Sequence, residues 1–127
     1  MDTNIWLERI LDQAESEEVG QFLNRTPIEL LFITDFAFHS IGVILTKLNR
    51  SDAFLTFVND VFLDGNVTVV RLDPDKMPEG VRVIEQFQLD FDDAYHYAVA
   101  EKYDLAVVSF DRDFDRTRIG RKAPAEI

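Results

Sequence analysis

The most strand-like stretch of the chain runs from Leu105 to Asp111 and reads LAVVSFD. Short apolar runs without alternation of polar and apolar residues are typical of strands that are buried on both faces of a parallel sheet. Two further runs of this kind come earlier, from Leu30 to Thr34 and from Val67 to Leu72. The pattern therefore predicts three buried strands, each followed directly by an aspartate.

Amphipathic helices are predicted between these strands. The apolar spacing indicates a first helix at Ile5 to Leu11, capped by Thr3 or Asn4. Five more helices are expected: from Ser16 to a stop before Pro27, after Thr34-Asp35, from Ser51 to the Asp64-Gly65-Asn66 stop, after Asp73-Pro74, and after Asp90. Alternating strands and helices predict one α/β domain over residues 1–127, a three-layer α/β/α sandwich with a central, mostly parallel sheet.

Composition excludes several classes of function. The 24 acidic and 13 basic residues of this 127-residue chain leave a net charge of −11, so no long-range field favours nucleic acid or an anionic membrane. Any contact with nucleic acid must then be local. Without cysteine there are no disulfides or zinc-thiolate sites. A metal site would depend on carboxylates, which suit magnesium or manganese.

Motifs of other classes are absent from the sequence. It contains no GxGxxG, no phosphate loop and no GxSxG turn, which excludes the usual dehydrogenase, P-loop and serine-hydrolase patterns. Its apolar runs are far shorter than the roughly 20 residues of a membrane span, and Met1 is followed at once by Asp2 rather than by a leader. We expect no membrane or targeting segment and a cytoplasmic location.

Acidic residues recur where a parallel sheet binds its ligands, outside the carboxyl ends of the strands. Asp35, Asp73 and Asp111 follow the three strands, while Asp2 and Asp93 open helices. Each acid taken singly is also explained by helix capping or by the helix dipole, and for Asp73, which precedes a proline, we prefer the cap. Several carboxylates in one cleft repel one another unless a cation neutralises them. Such a cation would support phosphodiester hydrolysis.

Three segments together resemble a PIN domain over nearly the whole chain. They are MDTNIWL at Met1–Leu7, LDFDDA at Leu89–Ala94 with Ala98, and VVSFDRDF at Val107–Phe114. The resemblance implies an α/β/α sandwich whose acidic cluster holds Mg²⁺ or Mn²⁺. It further implies a metal-dependent endoribonuclease, as in the VapC-type toxins of toxin-antitoxin pairs, with an RNA substrate, an antitoxin protein as partner and a homodimer.

The resemblance also assigns roles to individual acids. Asp2 matches the first metal-site acid of the family, Asp93 the third and Asp111 the fourth. The second is normally a Glu in the helix after the second strand, but here its place falls near His39 or Ser40, so that Asp35 is the nearest carboxylate. His39 could bind a cleft acid or a metal, or simply pack.

A second departure concerns the first strand, which the family places before the first acid. Only Met1 precedes Asp2, so this strand is truncated here, begins upstream, or has been replaced by a rearranged sheet. Together with the missing Glu, this leaves an alternative function: a catalytically weak or degenerate PIN-like module for binding or interaction.

Basic residues concentrate near the C-terminus, beside the proposed cleft. Arg112, Arg116 and Arg118 are candidate RNA contacts, since local cations can position a phosphate backbone. A solvated tail is the alternative. Asp113 reads either as an outer acid of the metal site or as a helix-start residue. Phenylalanines at near-helical spacing from Phe54 to Phe62 predict core, of which an exposed part would serve a homodimer or an antitoxin.

Overall fold

The computed structural model describes residues 1–126. This part of the chain contains six α-helices and two short strands. The helices are α1 (Thr3–Ile10), α2 (Ser16–Arg25), α3 (Asp35–Lys47), α4 (Ser51–Val58), α5 (Met77–Phe87) and α6 (Phe91–Tyr103). The strands are β1 (Phe32–Thr34) and β2 (Thr68–Val70). A π-helical turn at Asn59–Leu63 extends α4, and 3-10 turns occupy Pro74–Lys76 and Arg112–Arg116.

The strands of the sheet are parallel and short. In β1, Phe32 lies opposite Thr68 of β2. Beyond β1, the amino group of Met1 donates to the carbonyl of Phe32 at 2.9 Å, and the amide of Asp2 donates to that of Val108 at 2.9 Å. Met1 and Asp2 therefore lie between β1 and the Val107–Ser109 segment, in the position of a central strand reduced to two residues.

Side chains of the sheet point alternately into two helical layers. Ile33 and Val108 pack into the core formed with α1 to α4. Phe32 and Val70 face the other way, against α6, and Val107 packs with α5 and α6. Residues Asp93 to Ala100 of α6 are all buried, as expected for a helix covered on every side. The three-layer α/β/α arrangement predicted from the sequence is confirmed.

Several details of the predicted elements are wrong. Leu30 lies in a 3-10 turn outside β1, and the expected strand at Leu105 to Phe110 forms only one bridge, from Val108 to Lys122. Asp2, rather than Thr3 or Asn4, caps α1. Asp73 makes no capping hydrogen bond; its carboxylate instead pairs with Arg71 at 3.1 Å and Lys102 at 3.8 Å.

The helices are short in comparison with a membrane span. The longest, α3 and α6, have 13 residues each, whereas a span takes about 20. Among residues 1–126, no helix has the length and apolar character needed to cross a bilayer.

Candidate metal centre

Asp2 is fixed at the start of α1 by hydrogen bonds to both of its carboxylate oxygens. The residue is only 8% exposed. Oδ1 accepts from the amide of Thr3 at 2.7 Å, and Oδ2 accepts from the hydroxyl of Ser109 at 2.7 Å. Ser109 itself is completely buried and accepts from the amide of Asp111 at 2.9 Å. One serine thus joins two of the acids that the sequence places at the cleft.

Asp93 lies in the first turn of α6, whose N-cap is Asp90. The Asp90 carboxylate accepts from the amide of Asp93 at 2.9 Å, which explains why the helix begins at this point. Asp93 is buried, and burial raises its pKa to about 8, with the negative charges of Asp111, Asp90 and Asp2 adding to the shift. A buried carboxylate beside several others is a poor anion on its own, and a cation is its natural partner.

Three carboxylates meet at this point of the fold. One oxygen each from Asp93, Asp111 and Asp113 lies within 4.8 Å of the others. The Asp111 carboxylate accepts from the amide of Asp113 at 2.9 Å, so the 3-10 turn that follows brings Asp113 back toward the cleft. Oxygens on opposite sides of a Mg²⁺ ion are about 4.2 Å apart. An all-oxygen group at this spacing fits Mg²⁺ or Mn²⁺ with small side-chain adjustments.

A buried histidine completes the surroundings of Asp2. The Nε2 atom of His96 lies 3.4 Å from Asp2 Oδ1, and its Nδ1 atom lies 3.2 Å from the Thr34 hydroxyl. Burial lowers the pKa of His96, although the Asp2 charge opposes this effect. The hydroxyl of Thr34 accepts from the amide of Ala37 at 2.9 Å as the N-cap of α3. A chain of polar contacts therefore runs from the start of α3 to Asp2.

Asp35 does not belong to the three-acid group and is hydrogen-bonded elsewhere. Its Oδ1 atom accepts from the hydroxyl of Tyr95 at 2.7 Å and from the amide of Phe36 at 2.8 Å. The same tyrosine oxygen accepts from the amide of Leu72, so Asp35 joins α3 to the end of β2 through Tyr95. Burial, together with the bond to Asp35, raises the pKa of Tyr95 to about 12, so the phenol keeps its proton. His39 is exposed on α3.

The basic residues near the C-terminus are mostly matched with neighbouring acids. Arg116 lies 3.6 Å from Asp113 and donates to the carbonyl of Gln88 at 2.8 Å. Arg118 lies 3.5 Å from Glu101. Arg112 is exposed at the start of the turn, and among the described residues it forms no ion pair. Of the three candidate RNA contacts, Arg112 thus keeps its charge uncompensated.

Sequence reasoning missed two side chains of this site, His96 and Ser109. His96 stands between two tyrosines in a helix that is buried all round, so no periodicity indicates which side faces the cleft. Ser109 is the one polar residue in the apolar run from Leu105 to Phe110. A buried hydroxyl in such a run must find hydrogen-bond partners, and that requirement was the available signal.

Comparisons with known proteins agree with this geometry. The model of the PIN domain family matches residues 1–120. The solved "Toxin-antitoxin complex from Klebsiella pneumoniae" contains a chain with the same fold, at a TM-score of 0.77 and 18% sequence identity, over 99% of this chain and 97% of that one. A search of curated proteins gives no match. With its family model matched over almost its whole length, this chain belongs to the PIN domain family.

Proposed function

We propose that this protein is a metal-dependent endoribonuclease that hydrolyses RNA phosphodiester bonds with Mg²⁺ or Mn²⁺. The observation that carries the proposal is the convergence of Asp93, Asp111 and Asp113 within 4.8 Å, next to the buried Asp2. Neutralising this group without a cation would require Asp93 to hold a proton near neutral pH, in keeping with its pKa of about 8.

In this proposal the acids hold and orient; they do not attack RNA. Asp2, Asp93 and Asp111 are the metal-site carboxylates. As the remaining acid of the site, for which the sequence favours Asp35 in place of the family's second acid, we propose Asp113, because its oxygen lies with those of Asp93 and Asp111 whereas Asp35 is bonded to Tyr95. A bound divalent cation supplies an activated water and stabilises charge on the departing oxygen. Ser109 keeps Asp2 and the Asp111 backbone in register.

RNA binding is proposed for the cations beside the cleft. Arg112 adjoins Asp111 and is free of ion pairs among residues 1–126, so it is the strongest candidate for a phosphate contact. Arg116 and Arg118 would have to exchange their acidic partners for phosphate. Replacement of Arg112 by Gln is therefore expected to weaken RNA binding more than replacement of Arg118, and gel-shift titration with the metal-site variant Asp93→Asn as background checks this.

We further propose that the protein is the toxin of a toxin-antitoxin pair, acting on RNA in the cytoplasm with an antitoxin protein as its partner. Support comes from the solved toxin-antitoxin complex whose fold it shares. Leu55 and Leu63 are 66% and 74% exposed and offer apolar surface for an antitoxin or for a homodimer. Light scattering of the purified protein measures whether it is the homodimer we expect.

A degenerate PIN-like binding module is the second candidate. The observation in its favour is the absence of a Glu on α3, where His39 and Ser40 stand instead. This candidate keeps the fold and the interaction surfaces but has weak metal binding and little cleavage activity.

Calorimetric titration of the metal-free protein with Mn²⁺ tests the two candidates. The wild type is expected to bind saturably, and Asp93→Asn and Asp111→Asn are expected to lose that binding. The exposed, distant Asp12→Asn is the matched control and is expected to bind as the wild type does. Binding followed by Mn²⁺-dependent cleavage of RNA supports the nuclease. Absence of binding by a folded wild-type protein would overturn it in favour of the binding module.

A further inference from the structure

His96 is a buried residue that contacts the Oδ1 atom of Asp2, whereas Ser109 donates to the Oδ2 atom. The histidine is 7% exposed, and its two ring nitrogens face two different partners, Asp2 and Thr34. It belongs to none of the acidic groups described above and contacts no other acid of the cleft through an ion pair within residues 1–126. Its placement requires a reason, because a buried imidazole costs free energy unless both nitrogens have partners.

The orientation of the ring follows from the chemistry of its two partners: Nδ1 lies at hydrogen-bond distance from the Thr34 hydroxyl, and Nε2 faces Asp2 Oδ1 in a 3.4 Å electrostatic contact. A carboxylate only accepts, so the Nε2 atom must carry the hydrogen that points at Asp2. In a neutral ring the Nδ1 atom is then an acceptor, and the hydroxyl of Thr34 donates to it. Thr34 is free to do so because its oxygen already accepts from the amide of Ala37 and its own hydrogen is unused by that bond. The opposite tautomer would place a nitrogen lone pair against the carboxylate.

We propose that His96 is a positioning residue of the metal centre, held in one tautomer by Thr34 and holding the Asp2 carboxylate in the orientation that binds the cation. This inference rests on the proposed function, since it assigns Asp2 to the metal site. It adds to that function a chain of contacts that begins at Thr34, the N-cap of α3, and passes through His96 to Asp2. In this way the start of α3 influences the orientation of a metal-site carboxylate.

His96 adds a third contact to the Asp2 carboxylate, which already accepts two hydrogen bonds. Oδ1 receives the amide of Thr3 from α1, and Oδ2 receives the hydroxyl of Ser109. His96 approaches Oδ1 from α6, the helix that also carries Asp93. His96 and Asp93 both belong to α6. Through His96, therefore, the helix that carries Asp93 also contacts Asp2, and one rigid element relates the positions of the two acids. Groups that orient metal ligands in this way typically change metal affinity by about 10- to 100-fold when they are removed.

The tautomer is tested on the metal-free protein by ¹⁵N NMR of the histidine ring at about pH 7.5, above the lowered pKa of His96. His39→Gln removes the other histidine and leaves one ring in the spectrum. We expect a protonated Nε2 and an unprotonated Nδ1. A protonated Nδ1 would overturn the proposal, whatever the protein does with metals.

The positioning role is tested by Mn²⁺ calorimetry on variants of His96. The change His96→Phe keeps a ring but removes the donor, and it is expected to weaken Mn²⁺ binding by about 10- to 100-fold. His96→Gln keeps an N–H at the position of Nε2 and is expected to recover most of the affinity. Val99→Ala, which removes buried methyl groups from the same helix, controls for loss of stability and is expected to leave the affinity unchanged.

The outcomes separate this inference from the function on which it rests. Wild-type affinity in His96→Phe, with binding still lost in Asp2→Asn, would overturn the role of His96 and leave the metal centre standing. Equal losses in His96→Phe and Val99→Ala would likewise overturn it, since they indicate a general effect of instability. Lack of Mn²⁺ binding by the wild type would overturn the proposed function and the positioning role together, while the ring spectrum would still report which nitrogen of His96 carries the hydrogen that faces Asp2.

Discussion

Asp93 is the residue at which folding and the proposed chemistry oppose each other. Burial in the first turn of α6 and the nearby charges of Asp111, Asp90 and Asp2 raise its pKa to about 8. An ordinary aspartate, with a pKa of 3.8, is fully ionised at neutral pH. The metal-free native protein therefore binds a proton that the unfolded chain has released, and ionising Asp93 in the fold costs stability.

This conflict predicts a pH-dependent effect of Asp93→Asn. Because the folded-state pKa is raised, the stability contributed by protonated Asp93 is complete below about pH 4 and is lost as the pH rises through about 8. The free energy of unfolding of Asp93→Asn, minus that of the wild type, is expected to increase between about pH 5 and pH 8.5. Urea unfolding of metal-free protein at the two pH values measures this difference.

The difference between proteins is the proper quantity here, since other groups titrate in the opposite sense. Burial lowers the pKa of the Met1 amino group to about 6 and also lowers that of His96. Both groups are present in both proteins, so their effects largely cancel. A constant difference for Asp93→Asn across the pH range would contradict the assigned shift.

Ser109 is the second residue whose removal has a defined cost. It is completely buried, and its oxygen serves Asp2, the amide of Asp111 and the side chain of Asn4. Ser109→Ala leaves a buried acceptor and a buried amide without this partner, which typically costs about 1 to 3 kcal/mol. Urea unfolding is expected to show that loss. Ser51→Ala at the exposed start of α4, where the side chain makes no capping bond, should stay within about 0.5 kcal/mol of the wild type.

Among the secondary-structure elements, two glycines differ in the space available for a side chain. The helical Gly80 has room for a Cβ atom, and Gly65, in a turn, does not. Gly80 lies in α5, where an added Cβ would meet only Leu72 Cδ2 at an ordinary 3.6 Å. Gly65 follows the π-helical turn and its C-cap Asp64, and a Cβ there would lie 2.5 Å from the carbonyl oxygen of Asp60. A backbone carbonyl cannot move aside as the end of a flexible side chain can, so a Cβ atom at Gly65 would clash with Asp60.

The two alanine substitutions are therefore expected to have opposite signs. Gly80→Ala should stabilise the protein by about 0.5 to 1 kcal/mol, because alanine favours the helix. Gly65→Ala should destabilise it by about 1 to 3 kcal/mol through overpacking against the backbone. Thermal unfolding of both variants beside the wild type measures the signs. A stabilising Gly65→Ala would show that the turn can open without cost.

The order of elements and three of the acids could be predicted because they depend on local signals. Asp93 follows a strong N-cap, Asp111 follows a buried strand-like run, and Asp2 opens a helix. Predicting these positions requires only the spacing of the apolar residues and the residue preferences of helix caps. The alternation of strands and helices likewise indicated the three-layer fold, since an apolar run with no polar face must be covered on both sides.

The remaining features depend on contacts between distant segments. Asp113 reaches the cleft only because a 3-10 turn follows Asp111. The carboxylate of Asp35 accepts a hydrogen bond from the hydroxyl of Tyr95, which is 60 residues away in sequence. Among residues 1–126, the run at Leu105 to Phe110 contacts the amide of Asp2 on one side and forms a bridge to Lys122 on the other, both far away in sequence. For Asp35 and for the run at Leu105 to Phe110, the partners lie too far apart in sequence for a short window to contain both.

At the scale of the whole molecule, a net charge of −11 makes two effects of added cations separable. Any salt screens the mutual repulsion of surface acids, and this effect depends on ionic strength. A divalent ion that binds the folded cleft stabilises it further by mass action. The second effect requires the cluster of Asp93, Asp111 and Asp113 and is absent from the unfolded chain, where these residues are not held together.

We therefore expect Mn²⁺ to raise the melting temperature well above what sodium chloride achieves at equal ionic strength. At a concentration about 100-fold above the dissociation constant, binding contributes about 2.7 kcal/mol, which corresponds to about 10 °C for a domain of this size. Asp111→Asn should keep the response to sodium chloride and lose the additional rise, because screening needs only net charge whereas binding needs the site. Equal rises in melting temperature with the two salts in the wild type would contradict a metal site. They would indicate that both salts act only by screening the surface acids.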